Sequence, residues 1–359
     1  MIKIYQNYLI KLFLKKIILL SGIFLSLIFI LSIFEEISYF KDLNVGIYLP
    51  FLLTVLNTPS TLFEIFPFIF LISSQFFFLD LIDKNELEFL KVHGMNNLKI
   101  IKILSFTSII LGIFLVLFFY QISSQIKFLY FDLKNDYSKD DKYLAVVTSN
   151  GLWIKDQLDG KINIISAETM EGKNLNNVLI NQFTDDFTFL RLIEVKKINI
   201  ENKYWVIKDA FITENNLTNL NKEAIIFKTN FDYQRISTLF SNLSSLSILK
   251  LNKLKKDYLS LGYSTKIVDS HLFKIYSYPL YLSIMVCIAS ILMLNIQQNK
   301  TRIFYLMTGI LVSVLIYYMN YLFNVLIENQ KIPFTFTVWF PQFLLLLICS
   351  VGLVRINEK

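Results

Sequence analysis

The chain has 359 residues, of which 54% are hydrophobic and 34 are Phe. The apolar residues cluster into six runs long enough to cross a bilayer core, which takes about 20 residues each, and this excludes a single large soluble core. The net charge of +7 is spread over the flanks of those runs and a polar middle region with no basic-aromatic module, which excludes nucleic acid as a partner.

In chain order the runs are Ile17–Phe34, Thr58–Ile82, Leu98–Ser123, Ile275–Ile296, Ile303–Ile327 and Phe336–Val354. No cleavable leader is expected, because the first run lacks a small-residue cleavage site and has the length of a span. Lys3, Lys11, Lys15 and Lys16 precede it, Lys84, Lys91, Lys99 and Lys102 flank the second and third runs, and Lys300, Arg302, Arg355 and Lys359 flank the last three. The opposite turns carry only Lys41 and Lys331. The excess of positive charge predicts cytoplasmic termini and places the polar region after the third run on the far side of the membrane. The expected organisation is spans one to three over residues 1–126, an external domain over 127–269, and spans four to six over 270–359.

Between the second and third runs lies "DKNELEFLKVHGMNN", residues 83–97. Asp83 and Glu86 have the spacing of a capping box, and Gly94 suits a left-handed C-terminal cap. They predict a short helix over Lys84–His93. Leu87 and Leu90 fall on one side of it and Phe89 and Val92 on the other. One side can rest on the protein's own spans, while the other needs a second apolar partner, with Glu86, Glu88 and Lys91 as charged handles. Two readings stand here: a solvated capped turn, or a coupling helix that plugs into a cytoplasmic motor. The chain carries no phosphate-loop motif, so energy for any work must come from elsewhere.

The polar region changes period. "YLAVVTSNGLWIKD" (143–156), "KINIISAET" (161–169), "NVLINQFT" (177–184), "FLRLIEVKKINI" (189–200), "KYWVIKDAFITE" (203–214) and "AIIFKTNF" (224–231) are rich in β-branched and aromatic residues and are separated by turn signals. They predict an antiparallel β sandwich or open jelly roll, and Leu246–Leu261 then returns to helical character. Asp185 and Asp186 read as a turn. His93 and His271 are the two histidines of the chain and fall on opposite sides of the membrane, which excludes a His-based triad or His-rich metal cluster in the domain. Cys287 and Cys349 lie within spans and read as apolar packing residues. Within the spans, Glu64 and Gln75 are the polar groups of note, and Glu64 is expected to snorkel outward or to pair with Lys41 or Lys274.

Pro59 and Pro67 in "NTPSTLFEIFP", then "NELEFLKVHG", "NGLWIKD" (150–156) and "FKIYSYPL" (273–280), in this order and spacing, resemble the lipopolysaccharide export permeases LptF and LptG over the whole chain. "NGLWIKD", with Gly151, Leu152 and Trp153, is more similar to LptG than to LptF. The resemblance implies an α-helical polytopic membrane protein with six transmembrane helices and an inserted periplasmic antiparallel β domain of jelly-roll type. It implies a permease subunit of the inner membrane without an ATPase site or bound cofactor. ATP and Mg would be used by an LptB-type ATPase dimer, and an LptF-type permease, an LptC-type periplasmic bridge protein and lipopolysaccharide would be the other partners. Glu86 would be the acidic contact to the ATPase within a coupling segment of Glu86, Leu87, Glu88, Leu90, His93 and Gly94. His93 stands where the family usually has a small residue, and Ser60 where LptG-type members often have lysine. A glycolipid extractor would use Lys41 and Lys274 toward phosphates, with Glu64 beside them, and Phe66 with Phe68, Phe76, Phe77 and Phe78 would contact acyl chains or face bulk lipid. A sensor would need a cytoplasmic output module beyond Val354, and a lipid-modifying enzyme would need clustered His, Asp or Glu in the spans. The stronger rival is a mechanotransmission subunit or membrane scaffold that moves no lipid.

Overall fold

The structure, a computed structural model, describes residues 4–41, 45–135, 137, 152–158, 160–171, 173–214, 217–221, 223–233, 235–236, 242–260, 264–294, 302–328 and 334–357. The chain divides into two compact units, residues 1–127 with 266–359, and residues 128–265.

The first unit is helical. It contains α1 (Ile4–Tyr39), α2 (Tyr48–Asp83), the short α3 (Glu86–Val92), α4 (Asn97–Phe114), a π-helical turn (Leu115–Phe119) and the start of α5 (Tyr120–Asn135). After the second unit come α7 (Lys266–Leu294), α8 (Arg302–Glu328) and α9 (Phe334–Asn357). Among the described residues six helices are long and apolar enough to span a membrane. The hydrophobic runs mark only their middles. With 36 residues each, α1 and α2 are about 54 Å long at 1.5 Å per residue, and α1 continues through Glu36 to Tyr39 where a turn is expected from the sequence.

The second and fourth spans, α2 and α7, form the centre of this unit. A helix in lipid must satisfy its backbone internally or through a neighbour, and proline makes that demand specific. Pro67 lies inside α2 and has no N–H to give the carbonyl of Phe63 four residues earlier. The Tyr278 hydroxyl of α7 donates to that freed oxygen at 2.5 Å. Gly112 of α4 meets α7 at Pro279, where an added Cβ would lie 2.6 Å from the proline Cα. The Gln75 side chain donates to the Tyr305 carbonyl of α8 at 2.8 Å, and Gly309 leaves the space that this side chain fills. Hydroxyls of Thr54, Thr58 and Ser74 bond back to carbonyls four residues earlier, which lets polar residues sit inside α2. Cys287 and Cys349 are buried and free.

The second unit holds two antiparallel sheets. The larger has the order β1 (Leu152–Leu158), β2 (Lys161–Glu171), β3 (Asn174–Thr184), β4 (Phe189–Asn199), β6 (Ala210–Glu214), β7 (Leu217–Asn221), and the smaller pairs β5 (Tyr204–Ile207) with β8 (Ile225–Lys228). The expected strand over 203–214 is split. Asp209 takes a positive φ of 52°, and its two halves join different sheets. Strand β7, LTNLN, carries no alternation of apolar residues, so the sequence pattern missed it. The expected strand over 143–156 lies outside the described residues as far as Gly151. Strand pairing lines up Ile154, Ile165, Ile180, Ile193 and Ile212 in one row across five strands, on the face that carries the core. Trp205 and Phe227 cover that core from the smaller sheet, with the Trp205 indole donating to the Phe231 carbonyl. A 3-10 turn (Leu243–Ser245) and helix α6 (Ile248–Ser260) complete the unit.

Candidate functional site

The segment between the second and third spans forms the helix the sequence suggests, with different ends. Asp83 is the last residue of α2, so the expected capping box is not built. Asn85 breaks the chain instead with a φ of 57°, a conformation Asn tolerates better than most residues. The helix therefore runs over Glu86–Val92 and not Lys84–His93. Its far end is closed as Gly94 promises, with a φ of 84°. The Met95 N–H bonds to the Leu90 carbonyl and the Gly94 N–H to the Lys91 carbonyl, each at 3.0 Å, which is the Schellman arrangement. Lys99 adds a bond from its ammonium to the Gly94 carbonyl at 2.9 Å, and Asn96 caps α4 by accepting from the Lys99 N–H. His93 bonds through Nδ1 to the Phe89 carbonyl, with the two rings 4.1 Å apart.

The two faces separate as the periodicity requires. Leu87 is buried and Leu90 half-buried, while Phe89 and Val92 are 63% and 84% exposed. Leu87 thus packs into the chain itself. Glu86 also differs from expectation, because it accepts a hydrogen bond from the Tyr8 hydroxyl of α1 at 2.6 Å. Two turns along α1, Lys16 forms an ion pair with Asp80 of α2 at 2.6 Å. Neither tie is visible in the sequence, since their partners lie 78 and 64 positions apart with no shared motif. Glu88 and Lys91 remain exposed handles.

At the other end of the spans a second polar group assembles. Phe63 stacks face to face on Tyr278 with centroids 4.4 Å apart and touches Tyr120 at 5.2 Å. The next residue, Glu64, pairs with Lys127 at 3.5 Å, and not with Lys41 or Lys274 as expected. Lys41 lies exposed in the turn after α1. Lys274 is half-buried on α7, one turn beyond His271, and the charges of Lys127 and Lys274 both act on that histidine. His271 Nε2 lies 3.2 Å from the Tyr120 hydroxyl. Tyr120 follows directly on the π-helical turn, a feature that re-aims side chains and occurs often at functional sites. Phe66 is buried against Phe70 and Phe119, and Phe77 and Phe78 are buried as well. These rings are packed inside the helical unit. Sequence reasoning missed Lys127, Tyr120 and His271 as a group, although "FKIYSYPL" contained the signal for Tyr278, one residue before Pro279.

In the β domain, Gly151 lies outside the described residues, Leu152 is buried in the core and Trp153 is exposed. The residue of "NGLWIKD" that does most structurally is Asp156. It is fully buried and accepts from the Thr229 hydroxyl at 2.7 Å and from the Asn230 side chain at 2.9 Å, tying β1 to the chain beyond β8.

The family described as lipopolysaccharide export system permease LptF/LptG matches residues 7–355. No curated protein gives a significant match.

Proposed function

Since the chain belongs to the LptF/LptG family of lipopolysaccharide export permeases, we propose that Glu86–Val92 is the element through which a separate ATPase drives it. The protein is a multi-pass inner-membrane permease subunit of a lipopolysaccharide export complex and not itself the ATPase. The observation that supports the coupling role is the pair Phe89 and Val92, displayed to solvent on a helix whose opposite side is anchored by Leu87 and whose end is locked at Gly94. Two apolar side chains held outward on a fixed helix suit a docking contact. The proposed occupant is an LptB-type ATPase dimer, with Glu88 and Lys91 at the rim of the contact and ATP and Mg used on the ATPase alone.

In this reading both termini and α3 face the cytoplasm and the β domain faces the periplasm. The chain is the LptG-type half of a pair with an LptF-type permease, and an LptC-type protein receives the lipid from the β domain. Closure of the ATPase pushes α3. Leu87 and the Tyr8–Glu86 bond carry that displacement to α2 and α1, and the cavity between the two permeases narrows on the glycolipid. Lys127 and Lys274, whose charges both act on His271, are groups of the kind that meet the phosphates of a lipid head by charge-assisted hydrogen bonds. Lys41, exposed nearby in sequence to the outer end of α1, is a further candidate.

The test is co-purification of tagged full-length protein from membranes. Phe89→Asp with Val92→Asp should leave membrane insertion intact and lose the ATPase. Retention of the ATPase at wild-type level by this variant overturns the coupling reading. The lipid assignment is separate: Lys127→Glu with Lys274→Glu should lower photo-crosslinking of glycolipid to the spans, and unchanged crosslinking removes that pair from the lipid path.

A further inference from the structure

Helix α6, "ILKLNKLKKDYLS", carries four lysines and one acidic residue in 13 positions. Leu251 and Leu254 are fully buried and fix one side of it to the β domain. The opposite side carries Leu249, Asn252, Lys253, Lys256 and Leu259, all exposed, with Leu249 80% and Leu259 61% accessible. The single acid of the helix, Asp257, is turned to Arg235, with Nη2 to Oδ1 at 3.0 Å, so the outward face carries lysines and two leucines and no acidic residue of the helix itself. A face with lysines between protruding apolar side chains fits a membrane surface that carries negative headgroups, because leucines enter the headgroup boundary while ammonium groups meet phosphate.

Two observations bring this helix to a membrane. Its last residue, Ser260, is followed six positions later by Lys266, the first residue of the fourth span, a reach of at most about 20 Å of extended chain. At its start, the Lys250 ammonium lies 4.7 Å above the ring of Phe128, and Phe128 belongs to the helix of the third span, Asn97–Lys134. Both ends of α6 are therefore tethered to segments that enter the bilayer. We propose that α6 is an interfacial helix that lies on an anionic phospholipid surface. This docking depends on the chain being membrane-embedded and not on the ATPase coupling proposed above.

The experiment uses the full chain in nanodiscs free of glycolipid, with Leu249→Cys labelled by an environment-sensitive fluorophore, Leu259→Cys as an independent second position, and Lys196→Cys on strand β4 as control. In discs rich in phosphatidylglycerol, lipids carrying a spin label near the headgroup should quench the α6 labels several-fold more than the control label. In phosphatidylcholine discs the excess should be lost, and high salt or Lys253→Glu with Lys256→Glu should remove it from the anionic discs. Equal quenching in both lipids overturns the proposal, since charge would then play no part. Absence of quenching in both overturns it as well. Quenching that appears only after glycolipid is added assigns the face to the cargo and overturns it too.

Discussion

The second and fourth spans are buried over 72% and 61% of their most apolar stretch, whereas the first, fifth and sixth are buried over only 22%, 22% and 28%. The first is the most apolar of the six and still is among the least buried. In water the most hydrophobic helix would be the core. In lipid it gains nothing by leaving its neighbours, and close packing and polar satisfaction decide who goes inside. The central pair accordingly contains the irregular chemistry: Pro59, Pro67 and Pro279, the Ser73-Ser74-Gln75 run, and Ser277, Tyr278, Ser283 and Ser290.

The sharpest way to break this contrast is to add bulk on each side of it. Gly112→Leu puts a side chain where even a Cβ would meet the Pro279 backbone at 2.6 Å, and overpacking of this kind costs about 3 kcal/mol. Gly22→Leu on the first span meets nothing within 4 Å and should change stability by less than about 0.5 kcal/mol. Denaturant or thermal unfolding of the purified protein in detergent measures both, and equal losses would refute the inner–outer division.

A smaller effect tests what the proline at position 67 requires. Tyr278→Phe keeps the ring stacked on Phe63 and removes only the hydroxyl that satisfies the freed carbonyl. The expected loss is about 1 kcal/mol, in the range of interhelical hydrogen bonds in membranes. Restoring the N–H with Pro67→Ala should make Tyr278→Phe nearly silent, since the carbonyl regains its own helical donor. Additive losses in the double variant would show that the two residues do not share one oxygen.

These particulars explain what could be read from the sequence. Hydropathy located all six spans, but it cannot separate lipid-facing from buried apolar residues, so Phe66, Phe77 and Phe78 looked like possible lipid contacts when they are interior. Gly94 announced its left-handed turn because few other residues adopt it, while Asn85 gave no comparable signal and the helix start was placed two residues early. In the β domain Trp205 and Ile207 are buried while Tyr204 and Val206 are exposed, the two-fold alternation of a half-buried strand. Nothing local distinguished one long strand from two strands in different sheets. Pairings such as Glu64 with Lys127 or Tyr8 with Glu86 depend on which helices become neighbours, and composition and period leave that open.

The Tyr8–Glu86 bond is, with the Lys16–Asp80 ion pair, a polar tie between the first span and its neighbours. Tyr8→Phe removes it at a cost of about 0.5 kcal/mol or less, as for other exposed charge-assisted contacts. Its functional effect should be larger than its effect on stability. In proteoliposomes holding the whole complex, ATP hydrolysis should continue at the wild-type rate while glycolipid release falls severalfold, because α1 no longer follows α3. A parallel fall in both activities would mean that the contact supports assembly of the ATPase and not transmission to α1.

The smallest change is expected on the exposed faces of the least buried spans. Leu311 of the fifth span is exposed, so Leu311→Ala opens no cavity within the chain, unlike a core truncation, which costs about 2–5 kcal/mol. Unfolding in detergent should shift by less than about 0.5 kcal/mol. The informative comparison is with co-purification of the second permease proposed above. If Leu311→Ala leaves stability unchanged and also leaves the partner bound, this face borders lipid. If stability is unchanged and the partner is lost, the same face is the seam between the two permeases. The low burial of the fifth span in the single chain would then record a missing neighbour and not a preference for lipid.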